Sequence, residues 1–295
     1  VPVRAWLVYE TAGAFPRACP CEGCTTYDDA DENQYMSNIT ISRDRKLYYE
    51  LIEGDKTLPC LVFLHQGLGS VAMFKDFPQL LCKRTGASGL LYDRTGYGRS
   101  SPLTHDRSIH YMHEYALNEL PEVINATIPD TPFILIGHSD GGSISLISGA
   151  ERDRHLKAII TLAAHVFVEQ ETVDSIIKTV EAFSQGKMAG LFKYHGDNTE
   201  TLFRGWSSTW STHWFRSWNI EYLLPSIDVP VLIIQGRDDQ YGTLAQVASI
   251  ASGISGKAQT LIVDGCGHSP HLESTELTVE AISRFISNSK QVICH

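Results

Sequence analysis

The sequence has no run of eighteen or so uninterrupted apolar residues, the length a helix needs to cross a bilayer. Its longest candidate, residues 158–168, is broken by Thr161 and His165. A soluble chain with no membrane partner is expected. A basic block is missing too: Lys plus Arg number 24 against 34 Asp plus Glu, a formal charge of −10. Attraction to a phosphate backbone would be unfavourable overall, so nucleic acid is not an expected partner. Residues 1–20 lack the basic start, apolar run and small-residue cleavage site of a secretory leader, since Arg4 is followed by only a few apolar positions before Glu10. A cytoplasmic location is expected. Nor is there a paired cysteine framework. The seven cysteines are odd in number, and Cys60, Cys82, Cys266 and Cys294 are scattered, which reads as reduced thiols. Cys19-Pro-Cys21-Glu-Gly-Cys24 could join a metal knuckle, but no histidine precedes His65 and no fourth ligand lies nearby, so no metal is expected.

What is present fits one large folded domain with an insertion. The chain has 295 residues, 43% of them apolar and 20% charged, values ordinary for a globular protein. Residues 1–35 show no periodicity and carry the acidic run Tyr27-Asp-Asp-Ala-Asp-Glu32, so they are expected to lie outside the core. The core is expected over 36–168 and 226–295, with a helical cap over 169–225, and a chain beginning at Met36 is expected to keep activity.

From Asn38 the pattern turns to β. Ile39 and Ile41, a turn-like Ser42-Arg-Asp-Arg45, then Leu47, Tyr49 and Leu51 alternate with polar positions, which predicts an antiparallel hairpin. Short apolar runs follow at 60–64, 89–92, 133–136, 158–162, 229–234 and 260–263, suited to strands buried on both faces. Segments with helical spacing lie between them at 71–83, 109–124, 142–150, 244–250 and 275–286. This alternation predicts an α/β fold with a doubly wound, mostly parallel sheet. It is interrupted once, between Val168 and Ile227, by a long aromatic-rich stretch read as a lid. Trp206, Trp210, Trp214 and Trp218 recur every four residues there, a slowly drifting stripe if the segment is one helix. Two roles stand open for them: cementing the cap to the core, or lining a pocket with Trp206, Trp210, Trp214 and His65 as candidates.

Gly137-His138-Ser139-Asp140-Gly141 follows an apolar strand and precedes a helix-compatible stretch. A sharp turn there would present the Ser139 hydroxyl at a helix N-terminus, with small glycines leaving room for strand to approach helix. A serine hydroxyl needs a base within reach. His268, in Gly265-Cys-Gly-His268-Ser-Pro, lies just past the 260–263 run, at the carboxyl end where parallel sheets bind ligands. The acid that would orient it should also follow a strand, and two carboxylates, Asp238 and Asp239, compete in Gly236-Arg-Asp-Asp239; Asp239 is chosen, partly on the spacing of the family resemblance given below. Oxyanion donors are expected from the N–H groups of Gly67 and Asp140, with Leu68 as the alternative, because His65-Gln-Gly-Leu-Gly-Ser70 follows the 60–64 strand.

Together these motifs, with Asp93-Arg-Thr-Gly96-Tyr-Gly98-Arg-Ser100, resemble the α/β-hydrolase superfamily over about residues 45–288 in the chain order Ser, Asp, His. The resemblance implies hydrolysis through an acyl-enzyme with Ser139, Asp239 and His268, a helical cap, and no metal or organic cofactor. Gln66 stands where many members have glycine. Asp140 stands where Met, Leu or Gln is common, adding a negative charge beside the oxyanion site. Small or medium carboxylic esters or lactones are the expected substrates, bound as small molecules by a monomer or homodimer. Rivals are hydrolysis of a carbon–carbon bond in a β-diketone-like substrate, a slow-turnover ligand sensor, and a triad-bearing lyase or synthase.

Overall fold

A computed structural model of the protein describes residues 34–288. Its strands are β1 Gln34–Ile41, β2 Arg45–Ile52, β3 Cys60–Leu64, β4 Gly89–Tyr92, β5 Phe133–His138, β6 Leu156–Leu162, β7 Val231–Gly236 and β8 Ala258–Val263. They form one eight-stranded sheet in the order β1-β2-β4-β3-β5-β6-β7-β8. β1 and β2 make the expected hairpin, with Ile39 opposite Leu47, and β2 runs antiparallel to β4. All other pairings are parallel. β1 opens ahead of Met36, and Tyr35 lies opposite Leu51. Cys19, Cys21, Cys24 and Cys294 lie outside the described residues, whereas Cys60, Cys82 and Cys266 are buried free thiols.

The apolar runs are explained by burial on two faces. In β3, Leu61 and Phe63 join one core cluster while Cys60, Val62 and Leu64 join the other. β5 divides the same way, Ile134 and Ile136 against Phe133 and Leu135. A strand covered on both faces favours apolar side chains at nearly every position, so alternation disappears from the sequence, and the few polar exceptions such as Thr161 and Gln235 are themselves buried. Two expectations need correction on the same grounds. In β2 the positions between Leu47, Tyr49 and Leu51, expected to be polar or exposed, are buried: Tyr48, Glu50 and Ile52 are buried while Tyr49 and Leu51 are half-buried, because Leu47, Tyr49 and Leu51 pack on one cluster and Tyr48 and Ile52 on the other. The 260–263 run is not a two-faced core strand: β8 is the sheet edge, and only Val263 in it is buried.

The helices, in chain order, are α1 Phe77–Thr85, α2 Tyr111–Glu114, α3 Leu120–Thr127, α4 Asp140–Gly149, α5 Gln170–Ser184, α6 Phe192–His195, α7 Thr199–Ser211, α8 Leu244–Gly253, α9 Pro270–Glu273 and α10 Thr275–Asn288. α1 and α10 cover one face of the sheet, where Phe77, Leu81, Ile282 and Phe285 meet Leu61 and Phe63. α4 and α8 cover the other, joined by residues from the insertion such as Trp210. The expected helix over 71–83 breaks: a 3-10 turn at Val71–Phe74 ends at Lys75, and α1 restarts with Pro78 in its first turn, where a missing N–H costs nothing. The expected helix over 109–124 is also divided, α2 passing into α3 through a π turn, Tyr115–Glu119. Pro121 has no N–H for the carbonyl one turn back, so the ladder opens just before it.

Between β6 and β7 the chain forms the cap from α5, α6, α7 and short 3-10 turns. The four tryptophans there do not share one helix. α7 ends at Ser211, Trp214 opens a separate turn, Trp214–Ser217, and Trp218 follows it in extended backbone. Trp206, Trp210 and Trp218 are buried, but Trp214 is 43% exposed. Among the described residues no helix is long and apolar enough to cross a membrane.

Candidate active site

β5 carries Ser139 to the carboxyl edge of the sheet, at φ 53° and ψ −117°. Such a conformation costs a non-glycine residue about 1–3 kcal/mol. Neighbouring bonds hold it there: the Ser139 N–H donates to the Leu162 carbonyl at 2.8 Å, and its own carbonyl accepts from Gly142 and Ser143 at 2.8 and 3.1 Å. A Cβ on Gly137 would fall 2.1 Å from the Gly141 carbonyl oxygen, and one on Gly141 would fall 2.0 Å from that of Leu64. The two glycines flanking Ser139 are therefore a steric requirement of the turn.

Asp239 and His268 arrive on the loops after β7 and β8. Each Asp239 carboxylate oxygen lies 2.9 Å from His268 Nδ1, and the two side chains are 1% and 9% exposed. The carboxylate also accepts the Tyr241 N–H at 2.8 Å and the Gln235 amide at 2.7 Å. Asp238, the rival, is exposed. With Nδ1–H given to the carboxylate, Nε2 keeps its lone pair and can take a proton. The His268 loop is pinned from two sides. Glu273 accepts the N–H groups of Gly267 and Ser269 at 2.8 and 2.9 Å, and His138 Nε2–H donates to the His268 carbonyl at 2.8 Å. Burial, then the neighbouring His271 and His268, holds the His138 imidazole well below its ordinary pKa, so it stays neutral. Gln235 had one sequence signal, as the polar residue closing an apolar run; Glu273 had none.

Ser139, His268 and Asp140 line one pocket with Gly67, Trp206 and Trp210, and Leu68 borders it as well. The cavity is about 30 Å³, room for water but not for an ester. Trp206 and Trp210 of α7, in the inserted segment, narrow the space beside the serine. Of the candidate pocket residues, Trp206 and Trp210 form wall, whereas His65 and Trp214 do not. His65 braces the loop instead: Nδ1–H donates to the Gln66 carbonyl at 2.9 Å, and Nε2 accepts the Arg94 N–H at 3.2 Å. Trp214 lies beyond the end of α7 on the exposed side. His165 also lines the pocket, with its ring 5.3 Å from that of Trp210. Burial and the nearby His268 push His165 down to about 4. Its signal in the sequence was its interruption of an apolar stretch.

The oxyanion candidates lie close together. A Cβ on Gly67 would come 2.5 Å from Trp206 Nε1 and 3.1 Å from Asp140 Oδ1, so Trp206 sits directly over this glycine. Asp140 opens α4, and its buried carboxylate accepts the Tyr111 hydroxyl at 2.8 Å; that hydroxyl accepts Trp210 Nε1–H at 3.0 Å. Burial and the Asp140 charge hold the Tyr111 phenol well above its ordinary pKa, so it remains a donor. Arg94 is fully buried against the rings of Tyr97 and Tyr115, at 4.8 and 5.1 Å, and donates to the Gln66 carbonyl at 2.9 Å. The 93–100 motif is a brace as well: Asp93 accepts the N–H groups of Val71 and Arg99 at 2.7 and 2.9 Å.

The fold and this constellation define a doubly wound α/β protein with serine, aspartate and histidine gathered at the carboxyl edge of its sheet. A family model described as alpha/beta hydrolase fold matches residues 59–213, and the chain belongs to that family. The match spans the serine turn and the Gly67 loop but ends before Asp239 and His268. The chain is 29% identical over 163 residues to the sn-1-specific diacylglycerol lipase ABHD11 of Mus musculus, covering 54% of this chain and 49% of that protein. It is 26% identical over 124 residues to the monoglyceride lipase of Rattus norvegicus, covering 41% and 40%. The chain therefore spans half or less of the length of these curated relatives. The enol-lactonase of Burkholderia xenovorans LB400 shares the fold, with a TM-score of 0.66 at 17% identity over 85% of this chain and 100% of that one.

Proposed function

We propose that the protein is a serine hydrolase that cleaves small or medium carboxylic esters or lactones through an acyl-enzyme. The observation that carries this reading is the Asp239–His268 pair opening onto the pocket that also holds Ser139. Ser139 Oγ attacks the carbonyl carbon as its proton passes to His268 Nε2, and the carbonyl electron pair moves onto oxygen, which accepts the Gly67 and Asp140 N–H groups. Collapse breaks the bond to the alkoxy oxygen, and the imidazolium returns the proton to that leaving group. Water then gives a proton to His268 and attacks the acyl carbon; the second intermediate collapses with cleavage of the acyl–Oγ bond, and the imidazolium returns its proton to Ser139 Oγ as the carboxylic acid leaves. Asp239 holds the tautomer and stabilises the imidazolium without taking the proton.

The walls of Trp206 and Trp210 favour an apolar acyl group. The names of the mouse and rat relatives, both acylglycerol lipases, point to the same kind of bond. Hydrolysis of p-nitrophenyl esters of graded acyl length by wild type and Ser139→Ala tests the proposal. Multiple turnovers by wild type, best on short to medium chains and lost in Ser139→Ala, are expected. Turnover of β-diketone-type substrates with inert esters would transfer the reading to carbon–carbon bond hydrolysis.

A further inference from the structure

The cap reaches both segments that supply the proposed oxyanion donors. His195, in α6, is buried; its Nε2–H donates to the Leu68 carbonyl at 3.0 Å, and its Nδ1 accepts the Gly98 N–H at 3.0 Å. On α7, Trp206 covers Gly67. One turn further along α7, Trp210 Nε1–H donates to the Tyr111 hydroxyl at 3.0 Å, and Tyr111 donates to Asp140 Oδ2 at 2.8 Å. Trp210, Tyr111 and Asp140 are all buried, at 2%, 2% and 1% exposure. Two separate hydrogen-bonded arms therefore run from the cap, one to the Gly67–Leu68 loop and one to the residue after the nucleophile.

The placement of these arms matters for the chemistry. A carboxylate beside a developing oxyanion is a liability unless its charge is directed elsewhere, and Tyr111 takes one Asp140 oxygen. Oxyanion donors act only when aimed to within a few tenths of an ångström of the developing charge, and both donors here belong to backbone steadied by cap side chains. The cavity of about 30 Å³ is too small for an ester, so lining side chains, Trp206 and Trp210 of α7 among them, must move before one can enter. Opening of the cap along with them pulls on both arms.

We propose that His195 and Trp210, the latter through Tyr111, are positioning residues by which closure of the cap sets the oxyanion hole. The open cap admits substrate to a site whose donors are loosely aimed, and the closed cap restores both arms and aims them. The inference rests on the serine-hydrolase reading above and adds to it a coupling between cap and catalytic centre.

The test combines ester kinetics with hydrogen exchange in α6 and α7, measured before and after a fluorophosphonate occupies Ser139. In wild type, labelling is expected to raise protection in both helices. Tyr111→Phe, which removes one hydroxyl and keeps the ring, is expected to lower kcat about tenfold or more with KM nearly unchanged. It should abolish the protection gained in α7 while leaving the gain in α6. His195→Asn should do the reverse, and Asp140→Asn, which keeps an acceptor for Tyr111, should lose less kcat than Asp140→Leu. Wild-type kcat in both Tyr111→Phe and His195→Asn overturns the proposal. So does a loss of kcat that merely follows a lowered melting temperature while the exchange response stays intact. A wild type that neither turns over esters nor takes the label sinks the hydrolase reading first and the coupling with it.

Discussion

Both carboxylate oxygens of Asp239 meet His268 Nδ1 at 2.9 Å, whereas Asp238, its neighbour in the same turn, is exposed and gives its N–H to the Cys266 carbonyl at 2.9 Å. An amide in place of the Asp239 carboxylate can donate toward Nδ1 and so favour the tautomer that leaves Nε2 without a lone pair. Asp239→Asn is expected to lower kcat about 10⁴-fold, and Asp238→Asn to keep wild-type turnover. Steady-state kinetics on one ester checks both, and equal losses in the two variants would contradict the assignment.

The glycines flanking Ser139 differ from those of the cap. A Cβ at Gly137 or Gly141 would meet backbone carbonyl groups at about 2 Å, whereas one at Gly205, within α7, meets nothing within 4 Å. Gly141→Ala is expected to cost about 3 kcal/mol or more, because backbone cannot yield as a side chain does. Gly205→Ala should stabilise by about 0.5–1 kcal/mol through helix propensity alone. Urea denaturation of the two variants distinguishes them by sign.

Buried imidazoles should make the protein sensitive to acid. Burial, with the neighbouring His268, pushes His165 down to about 4 and His271 down to about 3, while in the unfolded chain each titrates near pH ~6.5. Above that pH neither state holds the proton. As pH falls from ~6.5 toward ~4 the unfolded chain takes up protons that the folded form refuses, so stability is lost by up to about 1.4 kcal/mol per pH unit per imidazole. His271 packs against Phe74 and Phe77, with ring centroids 5.5 and 5.3 Å away, and His271→Phe should flatten the slope. Urea midpoints measured across that range check this, and an unaltered slope would refute it.

Trp206 and Trp214 should separate cleanly in specificity. Trp206 is pocket wall, and its removal opens space beside Gly67. Trp206→Ala is expected to shift the ratio of kcat/KM toward longer acyl esters by about tenfold or more. Trp214→Ala, altering an exposed ring outside the pocket, should leave that ratio unchanged.

The parts of this architecture that follow local rules are the parts the sequence makes legible. β3 and β4 coincide with their apolar runs because burial on both faces favours apolar residues throughout. The serine turn is legible because glycine spacing records a close approach of backbones. Edge exposure of β8 is not legible, since the position of a strand in a sheet is set by its neighbours rather than by its composition. The tryptophan stripe misleads in the same way, because a four-residue spacing persists across the break after Ser211. Least legible is the Tyr111–Asp140 bond, which joins residues 29 positions apart through no periodic pattern. Asp140 alone was visible, as a charge where an apolar or amide residue is usual, and only the fold reveals the partner that takes it up.

Intact-mass measurement and peptide mapping after incubation with a fluorophosphonate test the central claim most directly. One adduct per chain, on Ser139 and absent from Ser139→Ala, is the expected result. A wild-type chain that stays unmodified, or an adduct that persists in Ser139→Ala, would contradict it.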